Sequence, residues 1–278
     1  MAINMLPELS VKTVLADYND VEARVPGTYT LFPQTTLNTL YNTYPNITDI
    51  TSPPTIGYFG LGIGGFFNIG DKTEASPYQP KKDDLGLYKP IPIRCVPIDE
   101  DLDTTTRSQY RMRVRQTFNG QQYWCYYLKK IEILDNTARI VRIDPITKKE
   151  IEYEMTQDQL TPKPTIPTTS GAQEGAITEV VVTKRVKCAW VGSEVYEGIS
   201  AIYNGDLRYA KISEYGIFSG DDRIVEGYAS DGTSFRYTES IYTQLQYHIC
   251  NLGSVVPSAD YNGTRIISLG SGSLLLKA

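Results

Sequence analysis

Residue types that carry chemistry are scarce in this chain. Its 278 residues include a single histidine, two tryptophans and four cysteines. Cys95, Cys125, Cys188 and Cys250 lie far apart, with no CxxC pair among them. That spacing argues against a compact zinc site and against a small disulfide-stapled domain, and it predicts free, mostly buried thiols. No apolar run approaches the roughly 20 residues that span a bilayer. The N-terminus (MAINMLPELS) has neither a basic n-region nor an apolar h-region, so a protein made and kept in the cytosol is expected. Nor is there a basic surplus. The net charge is −5 with both signs interspersed, which disfavours direct sequence-specific binding of nucleic acid.

What is present is ordinary globular composition, 41% hydrophobic and 21% charged, with one bias: 21 tyrosines against 7 phenylalanines. Tyrosine buries its ring while its hydroxyl stays wet, which suits half-exposed sheet faces and protein interfaces. Residues 1–56 are rich in Thr, Asn and Pro and read as an N-terminal arm or wrapped extension, with short ordered elements at 11–15 and 28–32. Residues 57–160 read as a β-rich core containing a meander over 111–154. Residues 161–176 (TPKPTIPTTSGAQEGA) are a Pro/Thr-rich loop or linker. Residues 177–278 form a second β-rich part, either in the same domain as 57–160 or in one of its own. The fold class expected is mainly β: an antiparallel, sandwich-like sheet domain with long loops, extended arms and few short helices.

The strongest local pattern is a hairpin. From Arg111 to Phe118 arginines alternate with Met112, Val114, Gln116 and Phe118, a period of two that marks a strand. Asn119-Gly120 is the pair a type I′ turn wants, and the chain then runs back. A two-residue turn sets Phe118 opposite Gln121, Arg115 opposite Trp124, Arg113 opposite Tyr126 and Arg111 opposite Leu128. One face therefore stacks guanidinium groups on aromatic rings, and Arg111, Arg113, Arg115, Trp124 and Tyr126 become candidate interface residues. The other face presents Met112, Val114, Cys125 and Tyr127. Farther along, Ile241 to Ile249 alternates, with His248 and Cys250 on one parity, and strand is the preferred reading, although Ile241, Leu245, Ile249 and Leu252 would also line a helix that Gly253 could end.

Motifs that imitate active sites have blander readings. Gly60, Gly62 and Gly65 match GxGxxG, but Phe66-Phe67-Asn68-Ile69 follows without helical period, so glycines serving close backbone approach are expected instead of a dinucleotide cradle. Asp99, Asp101 and Asp103 alternate like a calcium loop, yet Thr104 and Tyr110 stand where Gly and Glu belong, leaving a solvated acidic turn. Asp221 and Asp222 are poorly placed as a glycosidase pair, and 219–222 reads as a turn. His248 has no partner legible in the sequence. Asn46-Ile47-Thr48 and Asn262-Gly263-Thr264 match the glycosylation tripeptide without a secretion signal beside them. No catalytic residue, cofactor or metal ligand is assigned.

The order of FGLGIGG, DDLGLYKPIPIR, RSQYRMRV and NGQQYWCYYLKKI, followed by YAKISEYGIFSGDDRIV and YTESIYTQLQYHI, resembles segments of virion structural proteins of tailed bacteriophages. The resemblance touches about half of the chain and carries no active-site residues. It implies a non-enzymatic tail, neck or baseplate component that forms part of a symmetric ring. Its partners would be copies of itself and other virion proteins, with no membrane, and it would be assembled in the host cytoplasm. The alternative is a carbohydrate-binding or receptor-recognition module of a phage tail; a hydrolase using Asp221 or Asp222 is a further rival.

Overall fold

Alternating and β-branched stretches become strands throughout, and the fold is mainly β. A computed structural model describes residues 8–32, 36–68, 75–144, 149–161 and 179–271. In chain order the elements are β1 (Glu8–Lys12), α1 (Val14–Arg24), α2 (Leu37–Leu40), β2 (Thr55–Gly62), β3 (Phe66–Asn68), β4 (Ala75–Pro77), β5 (Pro90–Ile91) and β6 (Arg94–Pro97). There follow α3 (Thr104–Arg107), β7 (Tyr110–Phe118), β8 (Gln121–Lys130), β9 (Glu132–Ile133), β10 (Arg139–Ile143) and β11 (Glu150–Glu152). The last are β12 (Glu179–Val191), α4 (Gly192–Ile202), β13 (Lys211–Tyr228), β14 (Ser234–Val255) and β15 (Asn262–Ser271).

The described residues form two units. The first comprises those up to Ile131 together with Ala189–Gly263; the second comprises those of Glu132–Cys188 together with the described residues from Thr264 onward. The division does not follow the boundaries read from the sequence, because β12 and β15 each contribute residues to both units.

In the first unit an antiparallel sheet runs in the order β1-β14-β13-β2-β8-β6, with β5 on β2 and β7 on β8. Strands β13 and β14 are 18 and 22 residues long, and their pairing shifts register between Ile212 and Glu214, Ile217 and Phe218, and Ser219 and Asp221. Such bulges bend and twist a strand. The sheet thereby becomes sandwich-like: the backbone N–H groups of Met112 and Arg113 on β7 donate to the Glu239 carboxylate on β14 at 2.7 and 3.0 Å. Met112 has φ 57°, which interrupts the β7–β8 ladder between Arg111 and Arg113, and Glu239 takes up N–H groups at that kink. Met112, Val114, Cys125 and Tyr127, the expected second face of the hairpin, lie in one core cluster with Leu128, Phe218 and Leu245. All four cysteines are buried and free of disulfides.

The hairpin register is the one the turn predicts: Arg111 faces Leu128, Arg113 faces Tyr126, Arg115 faces Trp124 and Phe118 faces Gln121. Asn119 and Gly120 have φ 49° and 80°, as a type I′ turn requires. The 111–154 meander is corrected. β8 pairs within the first unit, whereas β10 pairs with β11 and β12 in another sheet. The turn expected at 219–222 is corrected as well, since those residues lie inside β13, and local Gly-Asp-Asp chemistry yields to pairing with β14 and β2. Residues 241–249 are strand, as their alternation predicts.

The described part of 1–56 lies along the first unit. β1 pairs with β14, Thr13 caps α1 by accepting from Ala16 N, and Tyr29 and Ile50 pack with Ile241 and Tyr242. Residues 28–32 have no regular element, and 11–15 straddle the end of β1 and the start of α1. The loop expected at 161–176 falls, beyond Thr161, outside the described residues. In the second unit a sheet runs β11-β10-β12-β15 with β9 on β12, and Asp135 is clamped by Arg185 Nη2 at 2.7 Å and Arg185 N at 2.8 Å.

Candidate functional site

Of the five candidate interface residues, the structure turns three inward. Arg111, Arg113 and Tyr126 are buried in the first unit, Trp124 is half-buried and only Arg115 is exposed. Arg111 makes a two-pronged pair with Asp222, Nε to Oδ1 at 3.0 Å and Nη2 to Oδ2 at 2.7 Å, while Nη1 donates to the carbonyls of Ser108 and Tyr110. The Tyr58 hydroxyl also donates to Asp222. Burial alone raises the Asp222 pKa, but the Arg111 fork and the Tyr58 hydroxyl bring it below the ordinary carboxylate value. Asp222, weighed as a hydrolytic acid, is thus an ion-pair partner.

Arg113 lies with its guanidinium carbon 3.3 Å from the centre of the Trp124 ring and donates to Asp101 from Nε at 3.0 Å. Asp101 also receives Arg107 at 3.2 Å and the Tyr126 hydroxyl at 2.6 Å. The stacking expected from the hairpin exists, but it runs diagonally, Arg113 to Trp124. Its charges are spent on Asp101, so this residue belongs to a half-buried knot and not to a solvated turn. Asp103 has a local role as well, capping α3 by accepting from Thr105 N and Thr106 N. The reason the strand pattern misleads is that β14 and the 101–107 segment cover the face that an isolated hairpin would leave open.

A second cluster has more chemical variety. Glu214 on β13 lies directly across from Cys250 on β14, and His248 sits two residues earlier on the same strand and on the same face. All three are buried. His248 Nδ1 is 2.7 Å from Asp84 Oδ2, and its Nε2 is 3.2 Å from Glu214 Oε1 and 3.6 Å from Cys250 Sγ. Glu214 accepts three backbone N–H groups, from Gly64 at 2.8 Å, Tyr88 at 2.7 Å and Lys89 at 3.0 Å. Asp84 Oδ2 accepts Lys81 N at 2.7 Å and the Tyr88 hydroxyl at 3.0 Å, and the Tyr88 ring meets the His248 ring edge-on at 4.7 Å. Burial, then the charges of Glu214 and Asp84, push the Cys250 thiol up to about 12.

The glycine cluster finds its reason here. A Cβ on Gly65 would stand 2.0 Å from the Ser213 carbonyl oxygen, and one on Gly64 would stand 2.8 Å from Glu214 Oε2. The glycines allow the loop after β2 to close over Glu214, the close backbone approach expected of them. Sequence reasoning left His248 without a partner because Glu214 and Asp84 are remote in the chain. The only legible signal was His248-x-Cys250 on one strand parity. Among the described residues Glu214, His248 and Cys250 are the group whose donor atoms converge as metal ligands would, all within 4.8 Å of one another. A further pair, Cys95 and Cys125, stands across β6 and β8 with sulfurs 3.1 Å apart, and hydrogen bonding between them and burial push the Cys125 thiol upward.

No curated protein and no solved structure matches the chain. Over residues 2–271 it matches the profile of a family of unknown function, DUF7208, and it belongs to that family.

Proposed function

We propose that the chain is a non-enzymatic structural subunit of a tailed-phage virion, part of a symmetric tail, neck or baseplate ring, and that its work is assembly with copies of itself and with other virion proteins. The observation that carries this reading is a group of exposed β-branched side chains around Arg142 on one sheet face of the second unit. On β12, Val180 and Val182 lie opposite Arg142 and Ile140 of β10, and Ile151 of β11 also lies opposite Arg142. Side chains on one strand parity share a face. Val180 is 44% exposed, Val182 41% and Ile151 52%. On the opposite parity Val141 and Val181 are buried. β-branched residues grouped on an exposed face are what a subunit presents to a neighbour.

The internal use of Arg111, Arg113 and Tyr126 moves the proposed contact surface from the hairpin to this sheet. Among the described residues no helix is long and apolar enough to cross a membrane. Mass spectrometry of purified virions, with light scattering of the isolated chain, tests the reading. The expected result is the chain in the particle at fixed stoichiometry and an oligomer in solution that Val180→Asp with Val182→Asp dissociates while the fold survives. A chain absent from virions and monomeric at high concentration would overturn it.

A further inference from the structure

The Asp84–His248–Glu214–Cys250 cluster is not needed for the apolar contact surface, and its geometry is specific. An imidazole facing a carboxylate oxygen at each nitrogen needs a proton or a cation at both. Asp84 accounts for Nδ1. At Nε2 the imidazole faces Glu214 Oε1 at 3.2 Å and Cys250 Sγ at 3.6 Å, three different donor atoms around one point. In a tetrahedral zinc site with Zn–N and Zn–O bonds of about 2.0 Å and a Zn–S bond of about 2.3 Å, the N···O edge is about 3.3 Å and the N···S edge about 3.5 Å. Both separations in the protein match those edges, and the third pair, Glu214 and Cys250, has its donor atoms within 4.8 Å, so a cation would draw these two ligands together around His248 Nε2.

The surroundings are those of a metal ligand set. Glu214 is immobilised by three backbone N–H groups, two on Oε2 and Tyr88 N on Oε1, and the second lone pair of Oε1 serves the partner on the His248 side. A carboxylate on the remote nitrogen of a ligating histidine sets its tautomer and ring orientation, and Asp84 occupies that place, itself held by Lys81 N and the Tyr88 hydroxyl. The ligands come from β13 and β14, and their supports come from the loop after β2 and the 81–89 segment.

We propose that Glu214 Oε1, His248 Nε2 and Cys250 Sγ bind one zinc-class divalent cation, with Asp84 orienting the histidine. Thiolate and imidazole together select Zn²⁺ over Mg²⁺ or Ca²⁺. On binding, the Cys250 thiol proton leaves to solvent, the cation takes the place of any proton between His248 and Glu214, and a water completes the tetrahedron. The site staples the two longest strands to the segment that covers them. It stands or falls independently of the assembly reading.

The test is cobalt substitution in the full chain, refolded from urea with chelator or with Co²⁺. The expected result is one Co²⁺ per chain, a thiolate-to-cobalt charge-transfer band that Zn²⁺ abolishes, and a raised thermal midpoint with metal. Cys250→Ser, nearly isosteric, should remove the band. Asp84→Asn should keep the band and weaken affinity about 10–100-fold. Folded wild-type chain that takes up no Co²⁺ or Zn²⁺ would overturn the proposal. So would a band that survives Cys250→Ser and disappears in Cys125→Ser, because it would place the metal at the Cys95–Cys125 pair.

Discussion

Replacing Asp222 with alanine removes the carboxylate that Arg111 and the Tyr58 hydroxyl share, and a double-mutant cycle with Arg111 isolates what the ion pair contributes. Arg111 is 1% exposed, and two of its donors, Nε and Nη2, lose their acceptors at 3.0 and 2.7 Å. Its Nη1 keeps the Ser108 and Tyr110 carbonyls at 2.8 and 2.7 Å, so the guanidinium stays anchored and charged. Breaking a buried pair from one side costs about 3–5 kcal/mol, because the remaining charge is left uncompensated. The Asp222 side chain is 33% exposed, so water reaches part of the vacated space and screening lowers the figure to about 2–3 kcal/mol. For a unit of this size that is a fall of roughly 4–12 °C in thermal midpoint. Urea unfolding of wild type, Asp222→Ala, Arg111→Met and the double variant reads it directly. The double variant should be less destabilised than the sum of the singles by more than about 1 kcal/mol, since neither charge is then left alone. A loss under about 0.5 kcal/mol in Asp222→Ala, or simple additivity in the cycle, would refute the reasoning.

Two glycines should respond to substitution for different reasons. Gly120→Val meets no atom within 4 Å, so its cost is the backbone strain of a β-branched residue at φ 80°, about 1–3 kcal/mol by urea unfolding. Gly65→Ala should be worse despite adding only a methyl group, because that methyl meets the Ser213 carbonyl; an unchanged midpoint in either variant would contradict the geometry. Acid should destabilise the fold through carboxylates whose folded-state pKa is depressed. Asp135 is brought to about 2 by its hydrogen bonds to Arg185, and Asp222 is lowered by Arg111 and Tyr58 against the effect of burial. Their contribution is present above the unfolded value of about 3.9 and is lost as pH falls through the folded value. Glu239, raised by burial against three backbone N–H bonds, has the opposite sign: its contribution is lost as pH rises through its folded value. Urea midpoints measured downward from about pH 5 should therefore fall in wild type and fall less steeply in Asp222→Asn; parallel curves would show that Asp222 is not linked to folding.

By itself the sequence determined what depends on neighbours in the chain. The period of two from Arg111 to Phe118 and the Asn119-Gly120 turn decided strand, turn type and register, because a two-residue turn leaves one pairing for every residue after it. Alternation over Ile241 to Ile249 favoured strand, and pairing with β1 and β13 decided it over the helix that the same residues also allowed; the missing helical period after Gly65 matches the strand β3 that follows. Only the tertiary structure decided which faces are covered. Arg111 and Arg113 looked like surface charge because Asp222 and Asp101 are distant or hidden in an apparent turn, and Ser219 to Asp222 looked like that turn because local propensity does not register pairing with strands on both sides. The His248 cluster was equally hidden: two of its members, His248 and Cys250, are two residues apart, but Glu214 and Asp84 arrive through β13 and through the segment after β4. Long-range pairing brings such groups together, and no spacing rule within one segment encodes it.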